Sequence, residues 1–193
     1  MSGRPREFDD EAVIEAAMEV FWTHGYEASS AQALVEGTGL GRGSLYNAFG
    51  SKQKLYHRAL EHYQAHGIQA QAAILHGTGS VKERLRALMQ WGIEGDLDPV
   101  KQRGCMAIFA ALERAGKDPM VVQISRVYVH RLEQALCEVF SAGQRTGEIA
   151  TGQTPLSLAR AFLSSYYGLR VLGRAMPERA FLQDTMEGCL AHL

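Results

Sequence analysis

The sequence predicts an all-α protein, with an N-terminal three-helix head that carries a helix-turn-helix and a larger helical body behind it. Three observations lead there. Apolar residues recur at helical spacing along almost the whole chain. No alternating run bounded by hairpin turns is present. Glycine, proline and capping residues cut the pattern into pieces of helix length.

Taken in order, the first helix is expected to open after Asp9 or Asp10, whose carboxylates suit a helix N-terminus. It carries Val13, Ile14, Ala17, Val20 and Phe21 on one stripe and stops near His24 before Gly25. Ser30 is the expected cap of a second helix that ends at Gly37 to Gly39. A third spans Arg42 to Phe49, Gly50 breaks it, and Ser51 caps a fourth from Lys52 towards His66, beyond which Ile68, Ala72 and Leu75 continue the helical pattern until Gly77-Thr-Gly79 breaks it. Ser80 caps the next, and Val81 to Ile93, Arg103 to Ala115, Pro119 to about Gln144, Pro155 to Ala175 and Glu178 to Leu193 complete the set. A boundary at 66/67 divides a head (1–66, helix-turn-helix about 30–49) from a larger helical body (67–193).

With 193 residues, 46% of them hydrophobic, and a formal charge of −1, the chain is long and apolar enough for one large or two small globular units. It lacks an apolar run of ~18 residues and a secretory opening, so a cytoplasmic location with no membrane partner is expected. Cys105, Cys137 and Cys189 are an odd number without C-x-x-C spacing, which argues against a disulfide framework or a thiolate zinc site. His62 and His66 have the i, i+4 spacing of a metal pair, but no third ligand is evident, so no metal and no cofactor are expected.

Residues 30–49 have the layout in which the later of two short helices enters a DNA major groove. At about 100° per residue, Leu45, Gly41, Ala48 and Phe49 fall inward, while Gly43 and Asn47 point outward, with Ser44 and Tyr46 flanking and Arg42 at the N-terminal edge. Such a face can meet base edges and phosphates, and Gly43 allows close backbone approach. Lys52 adds a cation beside helix N-terminal amides, Ser29 or Ser30 can do likewise at the second helix, and Arg4 with Arg6 forms a basic arm suited to a minor groove. Net charge argues the other way: up to position 66 there are six basic and nine acidic residues, so the reading depends on where the charges sit.

The stretches Ala16-Ala-Met-Glu-Val-Phe-Trp-Thr-His-Gly-Tyr-Glu-Ala-Ser29 and Gly39-Leu-Gly-Arg-Gly-Ser-Leu-Tyr-Asn-Ala-Phe-Gly-Ser-Lys52 closely resemble the DNA-binding head of the TetR (tetracycline-repressor) family. Gly3-Arg-Pro5 with Phe8-Asp9 looks like a frequent opening in one branch of it. The resemblance covers about the first third of the chain. It implies an Ω-shaped, all-helical homodimer that represses from double-stranded palindromic operator DNA and is released by a small-molecule inducer. By position it gives Arg42, Gly43, Ser44, Tyr46 and Asn47 to DNA and Lys52 to phosphate. Gly41 and Ala48 depart from the Ser/Thr and His common at those places, which weakens the phosphate contacts expected there.

The body offers Trp91, Cys105, Met106, Phe109, Tyr128 and Tyr167 as candidate ligand-lining residues, although the same side chains serve equally well as core. Phe162, Tyr166, Leu169 and Gly173 on one terminal helix, and Leu182, Met186, Cys189, Leu190 and Leu193 on the other, form apolar stripes for dimerisation or for packing within the chain. Cys105 follows Arg103-Gly104 at the start of an apolar helix, where the helix N-terminus, Lys101 and Arg103 favour a thiolate. That allows a thiol-reactive sensor on the same scaffold. A cysteine-dependent enzyme and a helical adaptor that binds protein are the competing classes, but no G-x-S-x-G, H-E-x-x-H, P-loop or Rossmann fingerprint occurs, so no catalytic residue and no enzyme is expected.

Overall fold

The computed structural model describes residues 8–99 and 103–193, so the expected arm of Arg4 and Arg6, and Lys101, lie outside the described residues. Within that range there are nine helices and no strand: α1 (Asp10–Ala28), α2 (Ala31–Thr38), α3 (Arg42–Phe49), α4 (Lys52–Leu75), α5 (Val81–Asp96), α6 (Met106–Arg114), α7 (Pro119–Thr146), α8 (Pro155–Ala175) and α9 (Arg179–Ala191). None of the described helices is long and apolar enough to cross a membrane.

The caps explain most of the boundaries. The Ser30 hydroxyl accepts the Ala33 N–H at 3.0 Å, the Ser51 hydroxyl accepts that of Lys54 at 3.2 Å, and Thr154 accepts that of Ser157 at 3.1 Å ahead of Pro155. Ser80 and Glu83 form a reciprocal capping box at α5, and Asp118 caps α7 before Pro119. α1 departs from its expected end at His24. Helical hydrogen bonding resumes beyond Gly25 as far as Ala28, but Gly25 itself stands at φ 76°, ψ 177°, a conformation that only glycine adopts without strain. α6 also differs, beginning at Met106 rather than Arg103, because Gly104 at φ 67° turns the chain and leaves Cys105 as the N-cap.

Two cores result. The head core gathers Ile14, Ala17 and Phe21 of α1, Leu34 of α2, Leu45 and Phe49 of α3, and Leu55, Tyr56 and Leu60 of α4. It also takes in Met106 and Ala110 of α6 and Val121 and Ile124 of α7, so the head closes on body helices, and α4 passes position 66 without a break. The body core packs α5, α7, α8 and α9 around Leu85, Leu88, Met89, Phe140, Phe162 and Tyr166. A third small cluster, Cys105, Ala107 and Tyr128 with Tyr63, Ile68, Ile108 and Tyr167 against it, bridges the two. The apolar stripes of α8 and α9 are therefore filled from within the chain: Phe162, Tyr166, Met186 and Leu190 are all buried in the body core and are not available to a second copy. What the two helices leave exposed is a different set, including Val171, Leu172, Met176 and Phe181.

Candidate DNA-contacting face and ligand cleft

α3 is held by two side chains, Leu45 and Phe49, which are buried against the head core four residues apart. Its opposite face follows from that anchoring: Arg42, Gly43, Ser44 and Asn47 are exposed, and Tyr46 is half-buried beside them. Gly41 does not point inward as the helical angle predicts, because it is the N-cap and lies outside the helical dihedrals; it is exposed and supplies no side-chain cap. α2 packs so tightly against α1 that a Cβ on Gly37 would sit 2.3 Å from Val20 Cγ2.

Two of the side chains expected to meet phosphate stand at helix starts. Ser30 is exposed at the start of α2, and Lys52 is the first residue of α4, its ammonium 3.4 Å from the Glu27 carbonyl and 4.5 Å over the Tyr26 ring. Ser29 is a correction. It is fully buried, and its hydroxyl donates to the Gly25 carbonyl at 2.6 Å, bracing the break in α1 rather than facing outward.

That break is clasped from the body. The Glu113 carboxylate of α6 accepts the Tyr26 and Glu27 backbone N–H groups, each at 2.9 Å, and the Arg114 guanidinium lies 4.2 Å over the Tyr26 ring while bonding Glu27 at 2.6 Å. Burial, partly offset by Arg114, holds the Tyr26 hydroxyl above its ordinary pKa. A second joint centres on Asp118, which accepts bonds from Gln53 Nε2 and His57 Nε2 at 2.8 Å each and from the Met120 N–H at 3.1 Å. At the other end of α6, the Trp22 indole N–H donates to the Gly104 carbonyl at 2.9 Å, and Arg103 pairs with Glu19 while stacking 4.1 Å over Trp22. None of these joints was visible beforehand, since their partners stand 61 to 87 residues apart.

The candidate ligand residues do not share one cavity. Trp91, 37% exposed, lines a cleft of about 630 Å³ whose walls are α1 (Glu15, Met18, Glu19, Trp22), α4 (His62, Tyr63, His66, Gly67, Ala70) and the end of α5 (Trp91, Glu94, Gly95) with Asp98. Arg103 and Arg170 complete it. Met106, which belongs to the head core, and Phe109 border a separate hollow of about 150 Å³ under the Arg174 guanidinium. Cys105 and Tyr128 are buried beside Tyr63, with the Tyr63 hydroxyl 3.7 Å from the Cys105 sulfur and Gln71 Nε2 donating to the Tyr128 hydroxyl at 2.9 Å. Tyr167 is half-buried against this cluster, and burial pushes the phenols of Tyr63, Tyr128 and Tyr167 well above their ordinary range. The Arg103 charge that was expected to favour a Cys105 thiolate is directed at Glu19 and Trp22. His62 and His66 sit with ring centres 4.3 Å apart on the cleft wall, and no group of three or more candidate metal ligands occurs among the described residues.

A three-helix head with a polar, outward-facing third helix, seated on a helical body, defines a helix-turn-helix regulator. The model of bacterial regulatory proteins of the tetR family matches residues 13–59. Over 192 residues the chain is 32% identical to the HTH-type transcriptional regulator YezE of Bacillus subtilis, covering 99% of each. It is 46% identical over 61 residues to the HTH-type transcriptional repressor ComR of Escherichia coli, which is 32% of this chain and 29% of that one. Among solved structures, a cysteine variant of the TetR family regulator CifR in complex with 26-base-pair operator DNA superposes with a TM-score of 0.86 at 29% identity, covering 98% of both chains. The chain belongs to the tetR family and is a DNA-binding transcriptional regulator.

Proposed function

We propose that this protein is a dimeric repressor that holds a palindromic operator through paired α3 helices and lets go when a small molecule occupies the body. The observation that carries this is the face of α3: Arg42, Gly43, Ser44 and Asn47 stand exposed with Tyr46 beside them, on a helix fixed from behind by Leu45 and Phe49. Arg42 and Asn47 have the donor and acceptor groups for base edges, and Lys52 with Ser30 flanks them at two helix N-termini suited to phosphate. The head is residues 1–66, and the body, 67–193, joins a second copy through the exposed part of α8 and α9. CifR bound to operator DNA supports the DNA half of the reading. One α3 per subunit reads too few bases for useful specificity, which is the physical reason for a two-fold dimer on a palindrome.

The test is to select bound duplexes from genomic DNA and measure affinity against salt. Lys52→Ala should weaken all sequences alike and lower the salt slope by about 1, whereas Asn47→Ala should relax base preference at one position of each half-site. Unchanged DNA affinity and base preference in both variants would refute this face.

A further inference from the structure

The 630 Å³ cleft lies between the head and the body, and its volume falls within the ~300–1,000 Å³ typical of small-molecule sites. Its chemistry is lopsided. Among the described residues, four carboxylates line it, those of Glu15, Glu19, Glu94 and Asp98, against two guanidinium groups, those of Arg103 and Arg170. The two cations are withdrawn: their side chains are only 7% and 6% exposed, Arg103 is paired with Glu19, and Arg170 donates to both oxygens of Asp96 at 2.5 and 2.8 Å. Glu19 and Glu94 are themselves paired, with Arg103 and with Arg179 at the outer rim, but unlike the arginines of the cleft they stay accessible, at 42% and 51% of their side chains, and Glu15 is exposed beside them. Between them stand the rings of Trp22, Tyr63 and Trp91, with the imidazoles of His62 and His66.

An entering anion would meet reachable carboxylates and buried, already neutralised arginines. An entering cation would meet those same carboxylates together with aromatic faces, which attract positive charge. We propose that this cleft binds an organic cation with aromatic or apolar bulk, and that its occupant is the effector that shifts the head. The second half rests on the regulator reading above. The occupant would touch α1 on one side and α5 with Arg170 of α8 on the other, so the cleft cannot fill without bearing on both.

The sequence contains two tryptophans, Trp22 and Trp91, and both line this cleft, so indole fluorescence reports on it directly. The experiment titrates the full-length protein with tetraphenylphosphonium and with tetraphenylborate, ions of one shape and opposite charge. Saturable quenching by the cation is expected, with at least about tenfold weaker binding of the anion. Glu15→Gln and Trp91→Leu, each checked for native circular dichroism, should each weaken the cation several-fold to about tenfold. Equal or tighter binding of the borate, no saturable quenching, or full affinity in both variants overturns the site. The coupling is read separately, as a drop in affinity for the selected duplex when the phosphonium ion is added. Quenching without that drop overturns the effector role alone. Failure of the probe-free protein to bind any duplex refutes the regulator reading and leaves the quenching result standing.

Discussion

Replacing Asp118 by alanine should weaken the protein more than any surface change, because one carboxylate ties α4 of the head to α7 of the body. Its oxygens accept from Gln53, His57 and the Met120 N–H, and Arg114 approaches to 3.8 Å. Burial pushes this carboxyl up, but the bonds from Gln53 and His57, the His57 charge and the Met120 N–H outweigh it and leave Asp118 lowered to about 2. A carboxyl that titrates near 2 instead of about 4 stabilises the fold by about 2 kcal/mol at neutral pH, after allowance for solvent reaching His57, whose side chain is 17% exposed. The Met120 N–H bond that caps α7 is already among those contributions, so Asp118→Ala should cost about 2 kcal/mol in all. Because the folded value is depressed, this stability is present above the unfolded value near 4 and is lost as pH falls through about 2. Urea unfolding at matched protomer concentration, at pH 7 and again between pH 4 and 3, measures it. A variant within 1 kcal/mol of wild type at pH 7, or a gap that widens on acidification, would refute the reasoning.

Glu113→Gln keeps one acceptor for the Tyr26 and Glu27 N–H groups but removes the charge that serves both, and should cost about 1–2 kcal/mol, read as a fall of roughly 3–6 °C in melting temperature; a fall below 1 °C would dismiss the clasp. Gly168→Arg tests the dimer face cleanly, since a Cβ there meets nothing within 4 Å in its own chain. The variant should sediment as a folded monomer with weakened operator binding, and an unchanged dimer would move the interface elsewhere. Native thiol labelling should show Cys137 and Cys189, which are partly exposed, reacting well before buried Cys105. Rapid labelling of Cys105, together with electrophile-driven operator release that Cys105→Ser abolishes, would instead establish the thiol sensor.

The sequence made local features legible and long-range ones opaque. Gly41 and Gly50 around α3, and Thr154-Pro155 ahead of α8, are chemical punctuation that acts within a few residues, and both helices have the bounds those residues predict. Amphipathic spacing tells that a face is buried but not by what. The stripe of Phe162, Tyr166, Met186 and Leu190 reads alike for a dimer seam and for an interior, and it is interior. Ser29 and Ser30 are neighbours of one chemistry, yet only the fold around Gly25 decides that the first is buried and the second caps α2. The cleft between head and body is the least legible feature, because Trp22, Trp91 and Arg170 come from three helices whose meeting no local pattern encodes.

The uninterrupted course of α4 has a mechanical consequence. At 1.5 Å per residue its 24 residues make a rod of about 36 Å, with Lys52 at one tip and the body core at the other. A rotation of about 5° at the Leu75 end would carry the Lys52 tip through ~3 Å. In a two-fold dimer the two tips would move in opposite senses, altering their separation by up to ~6 Å against a half-site repeat of about 34 Å. On the proposed dimer, side-chain shifts of ångström size beside the body end would thus be geared up to a misfit that two consecutive major grooves would not accept.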